Sequence, residues 1–321
     1  MLITPKSSDI EDVKLPMIFI FTGLLLFVGA QFLLTFKISD LVNGIPETPI
    51  ILAAAHLILL GFGTMVAMGA MYQLVPVALQ VKLRFRRLTY PQYIIYVAGV
   101  IGLAWSLFNF TAGPLVVFGA LTVSGVLLFI FNMTATIRGA ERSQIRTAVR
   151  LALLFLLLTV SLGLALATDF FHPYLQEWHE RLVHIHILFG TVGWFSLLIM
   201  GISFKLAPMF TLSHNYESWH GPASIHLIHI GIWVTTLGFF TEFLVLTWTG
   251  AAVIFAGFIC YTIQMKKVLS HRLKKKYDLG VKVSLSALPF SFTLIVMLTV
   301  YGLLKSGAIP VVAIVYLAIF G

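Results

Sequence analysis

A single cysteine, Cys260, stands in a chain of 321 residues, so an intramolecular disulfide and any multi-cysteine zinc or iron–sulfur site are excluded. Charge is equally scarce: 10% of the residues are Asp, Glu, Lys or Arg, against about 25% in a soluble domain. No Pro-rich, Gly/Ser-rich or polar stretch is long enough to make a linker or a separate soluble domain, and 1–321 therefore reads as a single transmembrane domain. No P-loop, dinucleotide fingerprint or Ser/His/Asp arrangement is found, which removes the usual signals of nucleotide use and of hydrolysis. The first 15 residues carry Asp9, Glu11 and Asp12 but no basic n-region, and no small-residue cleavage site follows, so the first apolar run reads as a retained span.

What the chain has is apolar sequence, 59% of its residues. Apolar runs lie near 17–36, 50–79, 92–110, 115–137, 150–170, 182–211, 223–245, 247–265 and 283–304, with a last one at 308–320. Because about 20 helical residues cross a hydrocarbon core of ~30 Å, the expected fold class is an all-α polytopic membrane bundle of about ten helices. Its tenth run is short. Basic residues fall on alternate connections: with the N-terminus inside, 18 of the 21 lysines and arginines are inner, and only Lys37, Arg181 and Lys305 are outer. This places the N-terminus in the cytoplasm of a bacterial type of cell membrane. It also accounts for the net charge of +9 without nucleic acid as a partner. Membrane lipid is the expected partner, and "HRLKKK" at 271–276 could touch anionic headgroups.

Histidines inside such runs need a reason, because a polar group left unsatisfied in hydrocarbon costs roughly 2 to 7 kcal/mol. "VHIHILFG" at 183–190 holds His184 and His186, and His56 lies about six residues into the second apolar run. Helices two and six run in the same direction, and His56 sits about 9 Å below the outer edge at 1.5 Å per residue. His184 and His186 lie at a comparable or shallower level. Two residues i and i+2 are about 200° apart on a helix, so this pair should face two different sites. Imidazole suits iron, and a haem between helices two and six, with one histidine from each, uses these groups economically. Gly61, Gly63, Gly190 and Gly193 allow either a close macrocycle or close helix packing.

The other histidines are weaker candidates. His172 and His179, in the outer connection "DFFHPYLQEWHERL", could hold haem propionates or a copper ion; an exposed loop is the plainer account. His226 and His229 share a face of helix seven near the inner surface and could ligate an inner haem or relay protons, where interfacial histidines bonded to water and headgroups are the alternative. His214 and His271 fall in inner loops.

An internal repeat organises the chain. "HLILLGFGTMVAMGAMYQLVP" from His56 aligns without a gap on the segment 132 residues later: Gly61 meets Gly193, Met68-Gly69 meets Met200-Gly201, and Pro76 meets Pro208. "YLAIFG" from Tyr316 would start a third copy, at helix ten. The unit is four helices, with boundaries near 16–137, 150–265 and 283–321, the last incomplete. A fragment or a shortened homologue is expected, its open face requiring a partner subunit or a second copy in a homo-oligomer.

Three such units, with His184-Ile-His186, Gly193-Trp194 and Phe204-Lys-Leu-Ala-Pro208 on one helix, resemble the catalytic subunit of haem-copper oxidases and the related NnrS-like haem membrane proteins. The resemblance implies haem b on His56, His186 or His184, an electron donor of unknown identity, and a small gas such as oxygen or nitric oxide as ligand. Where the family places the second histidine of helix six, this chain has Leu188, and where the main haem helix carries histidine it has Tyr316. No histidine lies between His56 and His172, which removes the family's three-histidine copper site. The competing reading is a transporter or channel with histidines as proton or metal-ion relays; it would call for acidic partners within the bundle, and only Asp169 and Glu242 offer themselves.

Overall fold

The computed structural model describes residues 7–36, 48–274, 276, 277 and 279–282, with side chains from Lys14 onward. The runs at 283–304 and 308–320, Tyr316 and the third repeat lie outside the described residues.

All the described secondary structure is helical, apart from one isolated bridge between Ser213 and Arg272. Among the described residues, eight helices are long and apolar enough to cross a membrane. They are α1 (Ser7–Thr35), α2 (Pro49–Leu79), α3 (Thr89–Asn109), α4 (Ala112–Ile137), α5 (Gln144–Phe171), α6 (Trp178–Thr211), α7 (His220–Thr241) and α8 (Leu244–Ser270). Each coincides with one of the first eight apolar runs. Helix is the form that such sequence must take, because hydrocarbon offers no partner for a backbone N–H or C=O. The chain is a multi-pass membrane protein, and its outward apolar faces meet lipid. On α1 that face is Phe21, Leu25, Val28 and Phe32, each more than half exposed and spaced to share one side of a helix.

The chain divides into two compact units. Among the described residues, the first holds 7–36 and 49–202; the second holds 48 and those from 203 onward. In the first unit, α1 packs on α2, α2 on α3, α3 on α4, α4 on α5 and α5 on the first part of α6. Its interior polar side chains are bonded across helices: Tyr72 donates to Gln92 Oε1 at 3.1 Å, Gln92 Nε2 reaches Met68 Sδ at 3.5 Å, and Thr22 meets Tyr93 at 2.7 Å. In the second unit, α7 and α8 form a tight hairpin, and Tyr261 of α8 donates to Ser203 at 3.0 Å.

Glycine sets how closely these helices approach. A Cβ on Gly99 would come within 2.5 Å of the Thr122 backbone nitrogen, and one on Gly125 within 2.7 Å of Tyr96 Cβ. In the second unit Gly231 faces Ile254 and Gly257 faces Ile228 in the same way, at 2.8 Å from the nitrogen of Ile254 and 2.7 Å from Ile228 Cγ1. Gly61 and Gly69 of α2 pack on α1, against Leu26 and Phe19; Gly193 and Gly201 of α6 pack on α5, against Phe155 and Ala148. Helix–helix contact is thus the use made of Gly61 and Gly193.

Helices α2 and α6 share an unusual interior. Each changes from α to π winding and back, at Leu57–Thr64 in α2 and Phe189–Ser196 in α6. Each ends alike: Val81 N donates to Pro76 O and Ser213 N to Pro208 O, both at 3.0 Å, beyond a left-handed Gln80 in one and Leu212 in the other.

Candidate functional site

His56 is the last α-helical residue of α2 before the π segment. Its Nδ1 lies 2.8 Å from the carbonyl of Leu52, one turn earlier. A carbonyl can only accept, so Nδ1 carries the proton and, in the neutral ring, Nε2 presents a lone pair. His186 repeats this arrangement in another context. Its Nδ1 donates at 2.9 Å to the carbonyl of Thr159 on α5, and the ring lies over Gly163, where a Cβ would sit 3.0 Å from its Cε1. The absence of a side chain at 163 is what admits the imidazole to this helix surface.

The two rings belong to α2 and α6, which the Trp194–Thr64 bond joins. Both are half-buried, so part of each remains accessible. His184 is exposed, and Ile185 between the two histidines is buried. The structure turns His186 toward α5 and places His184 on a different face, as their i, i+2 spacing requires.

Contacts between the π segments hold α2 and α6 in register beside this pair. Trp194 Nε1 donates to Thr64 Oγ1 at 3.3 Å, and a Cβ on Gly63 would touch Phe195 at 2.9 Å. Tyr96 of α3 donates to the carbonyl of Leu60 at 3.0 Å. A π turn loosens the i→i−4 ladder, and an external donor at such a carbonyl stabilises it. Gly63 thus packs on Phe195, and Gly190 on Thr159 of α5, where a Cβ would lie 3.2 Å from Thr159 Cγ2.

The remaining histidines are dispersed. His179 is bonded through Nδ1 to Asp169 Oδ2 at 2.7 Å, and the other oxygen of Asp169 accepts from the N–H groups of Tyr174 and Leu175 at 2.7 and 2.8 Å. Asp169 thereby shapes the whole 172–177 connection. His172, capping α5, is exposed with its ring against Phe171. In the second unit His226 is exposed, while His229 is half-buried and edge-on to Trp233 at 6.3 Å. His220 is bonded to Ser218, and His271 to Lys267 and Ser270.

Among the described residues no three His, Cys, Asp or Glu side chains gather closely enough to hold a bare metal ion. A metal at His56 and His186 would have to bring further ligands with it. A porphyrin would bring ring nitrogens of its own and leave room for imidazole donors from the chain. The donor chemistry of the pair fits that group: two imidazoles from facing helices, each with its second nitrogen anchored to a backbone carbonyl, the second-shell pattern of metal-bound histidine.

Sequence reasoning missed Thr159, Gly163 and the Trp194–Thr64 bond. Thr159 acts through its main chain, which carries no side-chain signature, and Gly163 is one of 25 glycines. Asp169 had one available signal, a carboxylate ten residues before His179 at the end of an apolar run. Searched against the models of known families, the curated proteins and the solved structures, the chain has no match in any of the three.

Proposed function

We propose that this is a haem b membrane protein in which His56 and His186 would hold the haem iron, serving electron transfer or the chemistry of a small gas such as oxygen or nitric oxide. The observation that carries the reading is the matched pair of imidazoles, each with Nδ1–H on a backbone carbonyl and Nε2 directed elsewhere. When bound, haem supplies a one-electron iron centre. The chain's own residues orient the two rings: Leu52 and Thr159 fix the tautomers, Gly163 makes room for His186, and the Trp194–Thr64 bond holds the two helices.

Four-helix repeats are part of this proposal. They are supported by π segments, helix ends and glycine contacts that recur 132 residues apart. Kinship with haem-copper oxidases and NnrS-like proteins rests on that pattern and on the quoted motifs. A cytoplasmic N-terminus in a cell membrane rests on the basic connections.

The deciding experiment is an optical spectrum of the purified protein, oxidised and dithionite-reduced, with and without carbon monoxide. A Soret band with sharp reduced α and β bands is expected. No haem absorbance after expression with adequate haem supply would defeat the proposal. One observation favours the relay reading instead, the Asp169–His179 pair; uptake of protons or divalent cations into proteoliposomes, lost on Asp169→Asn, would establish it.

A further inference from the structure

The ends of α2 and α4 and the starts of α3 and α5 lie on one side of the first unit, and there residues of the 80–88 connection, the last two turns of α4 and, from the 138–143 connection, Arg138 and Gly139 line an open cleft of about 840 Å³. Its rim is Lys82, Arg84 and Arg138; its apolar wall includes Phe85 and Phe131. The two phenylalanine rings are stacked, 5.3 Å apart and within 10° of parallel. Arg84 lies over the Phe85 ring at 5.7 Å.

This arrangement is held by the fold. Asn132 of α4 accepts from Phe85 N at 3.1 Å and donates to Phe85 O at 3.0 Å, while Thr136 accepts from Arg84 N at 3.1 Å. Arg146 of α5 donates to Ala140 O at 2.5 Å and so fastens the second connection. The two connections together carry six basic residues and one acid, Glu141, and Glu141 does not line the cleft.

We propose that this cleft binds an anionic glycerophospholipid, with its phosphate on Lys82, Arg84 and Arg138 and the upper part of an acyl chain along Phe85 and Phe131. The occupant follows from the two chemistries present. Phe131 belongs to a membrane-crossing helix and is 57% exposed, so the apolar wall starts at acyl-chain depth. The cations sit at the end of that wall, where headgroups lie. A soluble phosphate would use the rim alone. The site is independent of the histidine pair.

The test uses the 321-residue protein in detergent, stripped of lipid and given equal phosphatidylglycerol and phosphatidylcholine, with bound lipid counted by native mass spectrometry. One retained phosphatidylglycerol is expected, at least tenfold favoured over phosphatidylcholine, in the native protein and in an Arg142→Gln control. In Arg84→Gln/Arg138→Gln that preference should fall at least tenfold. Equal retention of the two lipids, an unchanged preference in the double variant, or displacement of the lipid by millimolar inorganic phosphate would each overturn the proposal. Should the double variant not fold, the lipid comparison and the phosphate competition on the native protein decide the matter alone.

Discussion

Trp194 donates its indole N–H to the hydroxyl of Thr64 at 3.3 Å, joining α2 to α6 across 130 residues of sequence. Trp194 is 1% exposed and Thr64 equally buried, so neither group has water as an alternative. Trp194→Phe should cost about 1 kcal/mol beyond the packing change. A double-mutant cycle with Thr64→Val, read by unfolding in detergent, should return a coupling of about 0.6 kcal/mol. Strictly additive effects would mean that the bond contributes nothing.

His56→Ala and His186→Ala should each convert a six-coordinate low-spin haem spectrum into a five-coordinate one, or abolish haem binding. His184→Ala should leave the spectrum as it is, because His184 is exposed on another face. An unchanged spectrum in His56→Ala would remove the ligand on which the functional reading rests.

Gly163 carries His186 on its surface. Gly163→Ala places a methyl group 3.0 Å from Cε1 and requires a shift of a few tenths of an ångström; Gly163→Val requires more. The haem-to-protein ratio should therefore decline in the order Gly, Ala, Val while helicity by circular dichroism is kept. Loss of helicity in parallel with haem would point to a packing role only.

Asp169→Ala releases two backbone N–H groups and His179 at once and should loosen the connection. Asp169→Asn keeps the accepting oxygen and should fall between. Limited proteolysis of the 172–177 connection measures this, with the fastest cleavage expected in the alanine variant.

Gly99 and Gly231 sit against backbone of the neighbouring helix, whereas Gly29 has nothing within 4 Å of an added Cβ. Gly99→Ala and Gly231→Ala should each destabilise by about 1–3 kcal/mol, and Gly29→Ala should be neutral or stabilise by up to about 1 kcal/mol. Unequal responses at 99 and 231 would speak against equivalent roles in the two hairpins.

Composition and hydropathy alone determined the helical membrane class and located the eight described spans, because a bilayer leaves an apolar chain little other choice than helix. The 132-residue offset was also legible, since Gly61 and Gly193, or Pro76 and Pro208, answer the same local demand and so keep the same identity. Which histidine of helix six turns inward was not legible. The rotation of a helix about its axis is set by what it packs on, and here Gly193 on Phe155, Gly190 on Thr159 and Trp194 on Thr64 turn His186 inward and His184 out. The π winding that follows His56 and Leu188 was equally hidden, for it adds no residue type of its own. The bond from His186 to the carbonyl of Thr159 and the cleft between the 80–88 connection and the end of α4 arise only when separate segments meet, so tertiary structure decided both.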